Sequence, residues 1–131
     1  MSSPLLELEL ETGLTPRHVL VVDDDDSVRA ALSDVLQEEG FEVVGRARDG
    51  LEGVSLAVSL EPDVIVLDVR MPGLDGIAAA RQIHEQLPSA RLVMLSAYDE
   101  KTLRDEAQRA GAAAFLVKGC PLGDIVRAVA A

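Results

Sequence analysis

Apolar residues along this chain fall in two alternating patterns. Short unbroken runs, Val19 to Val22, Val64 to Leu67, Leu92 to Leu95 and Phe115 to Val117, are separated by longer stretches in which apolar residues recur at helical spacing. Unbroken runs of this length suit strands covered on both faces. With their flanks they predict strands over Val19 to Val22, Asp63 to Leu67, Arg91 to Leu95 and Ala113 to Val117, and Phe41 to Ala47, with Val43 and Val44, adds another. Between them, Ser27 to Glu39 sets Val28, Leu32, Val35 and Leu36 on one helical side, with Asp26 or Ser27 as cap and Gly40 past its end. Further helices are predicted over Gly50 to Leu60, stopped by Pro62, and Ile77 to Gln86, bounded by Pro88. Glu100 to Ala110, closed by Gly111, and Leu122 to Ala131 complete the set, and Met71 to Gly76 reads as a turn-rich loop. Such regular alternation predicts an α/β fold, a doubly wound parallel sheet with helices on both faces and right-handed crossovers.

Residues 1–17 break this pattern. Leu6, Leu8 and Leu10 alternate with Glu7, Glu9 and Glu11, a strand-like period, before Gly13 and Pro16 interrupt. An added edge strand or a partner-binding segment fits that period, but a flexible acidic N-terminal extension is the reading preferred. The domain proper is then 18–131, and its size suits a single core.

Composition narrows the function. Hydrophobic residues make up 48% of the chain and aromatics only 2%, so aliphatic side chains must build the core and base stacking is no part of its work. A formal net charge of −11 argues against direct contact with nucleic acid or an anionic membrane and fits a domain that gathers divalent cations or docks a basic surface. The lone Cys120 excludes an internal disulfide and reads as a small residue near a helix start. With no apolar stretch long enough to span a bilayer and no secretory signal, a cytoplasmic location is expected.

The candidate chemistry lies where the apolar runs stop. The first run ends in Asp23-Asp24-Asp25-Asp26, the second in Asp68, the third in Ser96 and the fourth in Lys118. In a parallel sheet these ends share one edge, the edge at which open α/β sheets bind ligands. Asp23, Asp24 and Asp68 crowded together repel one another by roughly 4 kcal/mol per pair at about 4 Å. A hard divalent cation relieves that repulsion, and Mg²⁺ takes one or two carboxylates plus waters and phosphate oxygens. Asp68, alone at the end of the most apolar run, is the better nucleophile for a phosphoryl group, and the acidic pair is better suited to metal. Ser96 can donate to a phosphoryl oxygen, and Lys118 can pair with another or with Asp68. Taken singly, Ser96 reads more readily as a helix cap and Lys118 as a surface lysine.

The stretches VLVVDDDDSVR, DVIVLDVRMPGLDGI, LVMLSAYD and GAAAFLVKG, in this order and spacing, resemble response-regulator receiver domains over residues 18–131. The resemblance, not the spacing, supplies the strand order 2-1-3-4-5 of a flavodoxin-like sheet. It implies that Asp68 is the phospho-accepting aspartate, that Asp23 and Asp24 are the acidic pair, and that Mg²⁺ is held by Asp24, Asp68 and the Arg70 carbonyl. It further implies Ser96 as switch hydroxyl, Lys118 as the site lysine and Phe115 as switch aromatic. The phosphoryl group would come from a sensor histidine kinase or phosphotransfer protein, or from a small phosphodonor. Phosphorylation would draw in Ser96, turn Phe115 inward and repack the face formed by the fourth helix, fifth strand and fifth helix, through which a phosphorylation-dependent homodimer could form. On this reading the domain is a signalling receiver rather than an enzyme, catalysing only its own phosphorylation and slow dephosphorylation.

Two departures stand out. Gly119 follows Lys118 where the family often has a proline after a cis bond, which leaves that peptide's geometry open. Phe115 lacks the hydroxyl of the more frequent tyrosine. Arg70 and Tyr98, two residues beyond Asp68 and Ser96, are bulky, and are expected to hinder attack by water and prolong the phosphorylated state. Other classes fit less well. Asp23-x-Asp25-x-Ser27 is similar to the first motif of haloacid-dehalogenase-type phosphatases, but little acidic sequence follows Lys118. An EF-hand loop starting at Asp23 would need glycine at Val28 and glutamate at Asp34. A pure interaction module has no use for Asp68 and Lys118 together. No effector segment is apparent before residue 131, so either a stand-alone receiver or the receiver part of a longer regulator is expected.

Overall fold

The computed structural model describes residues 17–131. The Leu/Glu alternation between Leu6 and Glu11 lies outside them. Five strands and five helices follow in strict alternation: β1 (His18–Val22), α1 (Asp26–Glu38), β2 (Glu42–Ala47), α2 (Gly50–Leu60), β3 (Val64–Asp68), α3 (Gly76–Gln86), β4 (Arg91–Ser96), α4 (Lys101–Arg109), β5 (Ala114–Val117) and α5 (Leu122–Ala130). They form one parallel sheet in the order β2-β1-β3-β4-β5. This is the predicted doubly wound architecture, with element bounds shifted by a residue or so.

The unbroken apolar runs follow from burial on both sides of the sheet. Successive strand side chains point to opposite faces. Leu20, Val22, Ile65, Leu67, Leu92 and Met94 pack on one face with Ala57 of α2, Ala80 and Ile83 of α3 and Ala107 of α4. Val19, Val21, Val64, Val66, Val93 and Leu95 pack on the other with Leu32 and Leu36 of α1 and Ile125 and Val129 of α5. Every residue of β3 is buried. Fully burying one such side chain contributes roughly 1.5–3 kcal/mol, so this central strand anchors the sheet.

The first three helices start on aspartate caps. Asp25, not Asp26 or Ser27 as the sequence predicted, caps α1, its carboxylate accepting from the Ser27 and Val28 amides. Asp49 caps α2 through the Glu52 amide, and Asp75 caps α3 through the Ala78 amide. Within an acidic run several residues are competent caps, and only the backbone turn decides which is used. At the far end of the fold, Arg17 and Arg91 donate to the Val129 and Ala128 carbonyls and tie down the last turn of α5.

Candidate functional site

Sheet register assembles the pocket. Val22 pairs with Leu67, so Asp23 leaves β1 beside Asp68 at the end of β3. Asp68 pairs with Leu95, which puts Ser96 one step further along β4, and Ser96 pairs with Val117, which precedes Lys118. Backbone bonds carry the ladder into the loops: Asp23 N–H to Ala47 O at 3.0 Å, Val69 N–H to Leu95 O at 2.9 Å and Lys118 N–H to Ser96 O at 2.7 Å. The functional side chains thus project from the carboxyl edge of the sheet, where the backbone ladder continues into the loops.

Carboxylate oxygens of Asp23, Asp24 and Asp68 all lie within 4.8 Å of one another. Asp23 and Asp68 are buried, at 1% and 5% exposure, whereas Asp24 faces solvent. Lys118 reaches in from β5, its Nζ 3.0 Å from Asp23 Oδ2 and 3.2 Å from Asp68 Oδ2. The contact with Asp23 is an ion pair by distance but falls outside hydrogen-bond geometry, so the buried Asp23 Oδ2 has no hydrogen-bond partner. Its other oxygen, Oδ1, accepts from the Asp25 amide at 2.9 Å. Lys118 is therefore a partly buried counter-ion, not a surface lysine.

One cation among three carboxylates leaves the pocket under-neutralised. Burial, then the neighbouring Asp23 charge, raises the Asp68 pKa to about 6, against the opposing pull of Lys118. Burial by itself would lower the Lys118 pKa, but its contacts with Asp23 and Asp68 outweigh that and hold it above its ordinary value. At about 4.8 Å and an effective dielectric near 20, each carboxylate pair still repels by roughly 3–4 kcal/mol. Three carboxylates that share a single ammonium group are a cluster of hard oxygen donors that fits a divalent cation such as Mg²⁺.

Ser96 lies at the same edge, but its hydroxyl is engaged elsewhere. Its Oγ donates to Tyr98 O at 2.7 Å and accepts from Tyr98 N–H at 3.1 Å, which closes a tight turn after β4. It does not cap α4, whose N-cap is Glu100. Phe115 is half-buried on β5 opposite Met94, with the Arg104 guanidinium 4.9 Å from its ring centroid. Arg70 lies over the Tyr98 ring at 5.6 Å, and its amide points at Asp68 Oδ1 at 3.4 Å. The Lys118–Gly119 peptide is trans, and Gly119 takes φ +94°, which a side chain would strain.

Three contributors escaped the sequence reading. Arg29 donates to the Asp23 carbonyl at 2.7 Å and braces the acidic loop from α1. Gly76 packs so closely under β3 that a Cβ there would fall 1.9 Å from Asp68 O. Arg104, on Phe115, is the third. In sequence, Asp75-Gly76 reads as part of a turn-rich loop and of the receiver-like stretch DVIVLDVRMPGLDGI; the close approach to Asp68 arises from the crossover into α3, which local pattern does not report.

A doubly wound sheet carrying an acidic pocket and a lysine at its carboxyl edge defines the receiver class of two-component signalling. Residues 19–130 match the family described as the response regulator receiver domain, and the chain belongs to that family. Among relatives, the chain is 42% identical over 114 residues to the transcriptional regulatory protein PdtaR of Mycobacterium tuberculosis, covering 87% of this chain and 55% of that protein. It thus spans about half of the length of such curated relatives. Its fold is similar to that of Vibrio cholerae chemotaxis protein CheY4 (TM-score 0.80, 30% identity, 86% of this chain and 95% of that one). It is also similar to a chain of the CheX–CheY–BeF3–Mg²⁺ complex from Borrelia burgdorferi (TM-score 0.85, 30% identity, 97% and 96%). Receiver domains of this family act in phosphorylation-dependent two-component signalling. Among the described residues, no helix is long and apolar enough to cross a membrane.

Proposed function

We propose that Asp68 is the phosphoacceptor of this receiver, with Mg²⁺ held by Asp24, Asp68 and the Arg70 carbonyl and with Asp23 completing the acidic pocket. The single observation behind this reading is the buried meeting of Asp23, Asp68 and Lys118, with Asp24 at the rim. The bound cation would neutralise the pocket and the phosphoryl oxygens. A carboxylate oxygen of Asp68 attacks phosphorus, the P–N bond to the donor imidazole breaks, and its electron pair leaves with the ring nitrogen. The product is an acyl phosphate. Lys118 then exchanges its pairing with Asp68 for a phosphoryl oxygen, and Ser96 gives up Tyr98 O to donate to another. That the similar Borrelia complex was solved with BeF3 and Mg²⁺ supports Mg²⁺ as the cation.

A sensor histidine kinase or phosphotransfer protein is the proposed donor, in the cytoplasm. Nucleic acid is not a proposed ligand of this domain, and phosphorylation-dependent pairing through the α4–β5–α5 face is a proposed consequence. Residues 1–17 are proposed as an extension that precedes the receiver, joined to it at Arg17, which bonds to α5. The test is incubation with acetyl phosphate and Mg²⁺ followed by intact mass. One added phosphoryl group, absent in Asp68→Ala and in EDTA, supports the reading; uptake that survives both controls, or none in the wild type, defeats it.

A further inference from the structure

Phenylalanine at position 115 has no hydroxyl with which to anchor its ring, yet the ring is held from outside. The Arg104 guanidinium of α4 sits 4.9 Å from the Phe115 ring centroid, where the negative face of the ring attracts a cation. Arg104 is itself fixed: its Nε donates to Asp99 Oδ1 at 2.6 Å. Asp99 belongs to the short loop between β4 and α4, and the preceding Tyr98 is bound through both its amide and its carbonyl to Ser96 Oγ. An unbroken series of contacts therefore runs from Ser96 at the pocket through Tyr98, Asp99 and Arg104 to Phe115.

We propose that Arg104, held by Asp99, is a positioning residue that latches Phe115 in its resting place and so sets how readily the receiver switches. The inference rests on the readings of Ser96 as the hydroxyl that turns to the phosphoryl group and of Phe115 as the ring that moves with it. When Ser96 leaves Tyr98 O, the turn carrying Tyr98 and Asp99 loses its tie. Arg104 then loses its anchor, and the ring is free to move. Because the latch favours only the resting arrangement, removing it shifts the population toward the switched one before any phosphate arrives. An exposed contact of this kind biases such an equilibrium by roughly two- to five-fold.

The chain contains two phenylalanines, Phe41 and Phe115, so ¹³C labelling of the phenylalanine rings gives signals that a Phe41→Leu variant assigns. In the unphosphorylated protein, Arg104→Ala and Asp99→Asn should each move the Phe115 signals toward those of the wild type with beryllofluoride and Mg²⁺. Both should also raise the rate of phosphorylation by acetyl phosphate roughly three-fold. In a Phe115→Leu background the effect of Arg104→Ala on that rate should vanish. Phe115 signals that stay in place in both variants overturn the latch, as does an Arg104→Ala effect that persists without the ring. A protein that takes up no phosphoryl group defeats the phosphorylation reading instead, and the resting ring signals still decide whether Arg104 holds Phe115.

Discussion

Replacing the buried Asp68 by asparagine should make the metal-free domain more stable, although it removes a partner of Lys118. The side chain is 6% exposed and shares its pocket with Asp23 and Asp24. Burial and the Asp23 charge lift its pKa from the ordinary 3.8 to about 6 in the folded protein. A group that binds its proton more tightly when folded contributes stability that is complete below about pH 4 and is lost as pH rises through about 6. At about 1.4 kcal/mol per pH unit over that interval, ionised Asp68 costs the fold roughly 3 kcal/mol at neutral pH. Asparagine resembles the protonated acid in shape and carries no charge. Asp68→Asn should therefore gain up to about 3 kcal/mol at pH 7 in EDTA, on the order of 10 °C in Tm, and close to nothing at pH 4. Urea and thermal unfolding followed by far-ultraviolet circular dichroism between pH 4 and 8 measure this directly. Saturating Mg²⁺ should stabilise the wild type more than the variant, since binding only the folded pocket shifts its equilibrium. A variant that is less stable than the wild type at pH 7, or a difference that does not change with pH, refutes this account of the pocket.

Lys118→Met leaves the carboxylates without their cation, and should slow phosphorylation by acetyl phosphate on the order of 10–100-fold, read by intact mass over time. Arg70 and Tyr98, stacked 5.6 Å apart beside the pocket, should shield the acyl phosphate, so Arg70→Asn with Tyr98→Glu is expected to shorten its lifetime several-fold. An unchanged lifetime removes that idea. Gly76→Ala sets a Cβ 1.9 Å from Asp68 O, and should cost about 1–3 kcal/mol in urea unfolding as well as disturbing the acceptor strand.

β1, β3 and β4 were legible because each is covered on both faces and reads as an unbroken apolar run, and Asp68 was legible because it closes the most deeply buried of them. Strand order is another matter: spacing allows several right-handed arrangements, and only the likeness to receivers picked one. Convergence of Asp23, Asp24, Asp68 and Lys118 then followed from register alone. What local pattern could not carry were choices made by distant packing. Asp25 rather than Asp26 or Ser27 caps α1 because of the turn leaving β1. The rotamer of Ser96 onto Tyr98 and the seat of Arg104 on Phe115 depend on how the β4–α4 loop and α4 lie against β5. The Lys118–Gly119 peptide, left open by sequence, is trans.

The most direct measurement locates the phosphoryl group. After incubation with acetyl phosphate and Mg²⁺, borohydride reduces an acyl phosphate on aspartate to homoserine, and peptide mass mapping then finds the modified position. Homoserine at position 68 alone is the predicted result. Homoserine at Asp23 or Asp24, or an unmodified Asp68 in protein that has gained phosphate, contradicts the account.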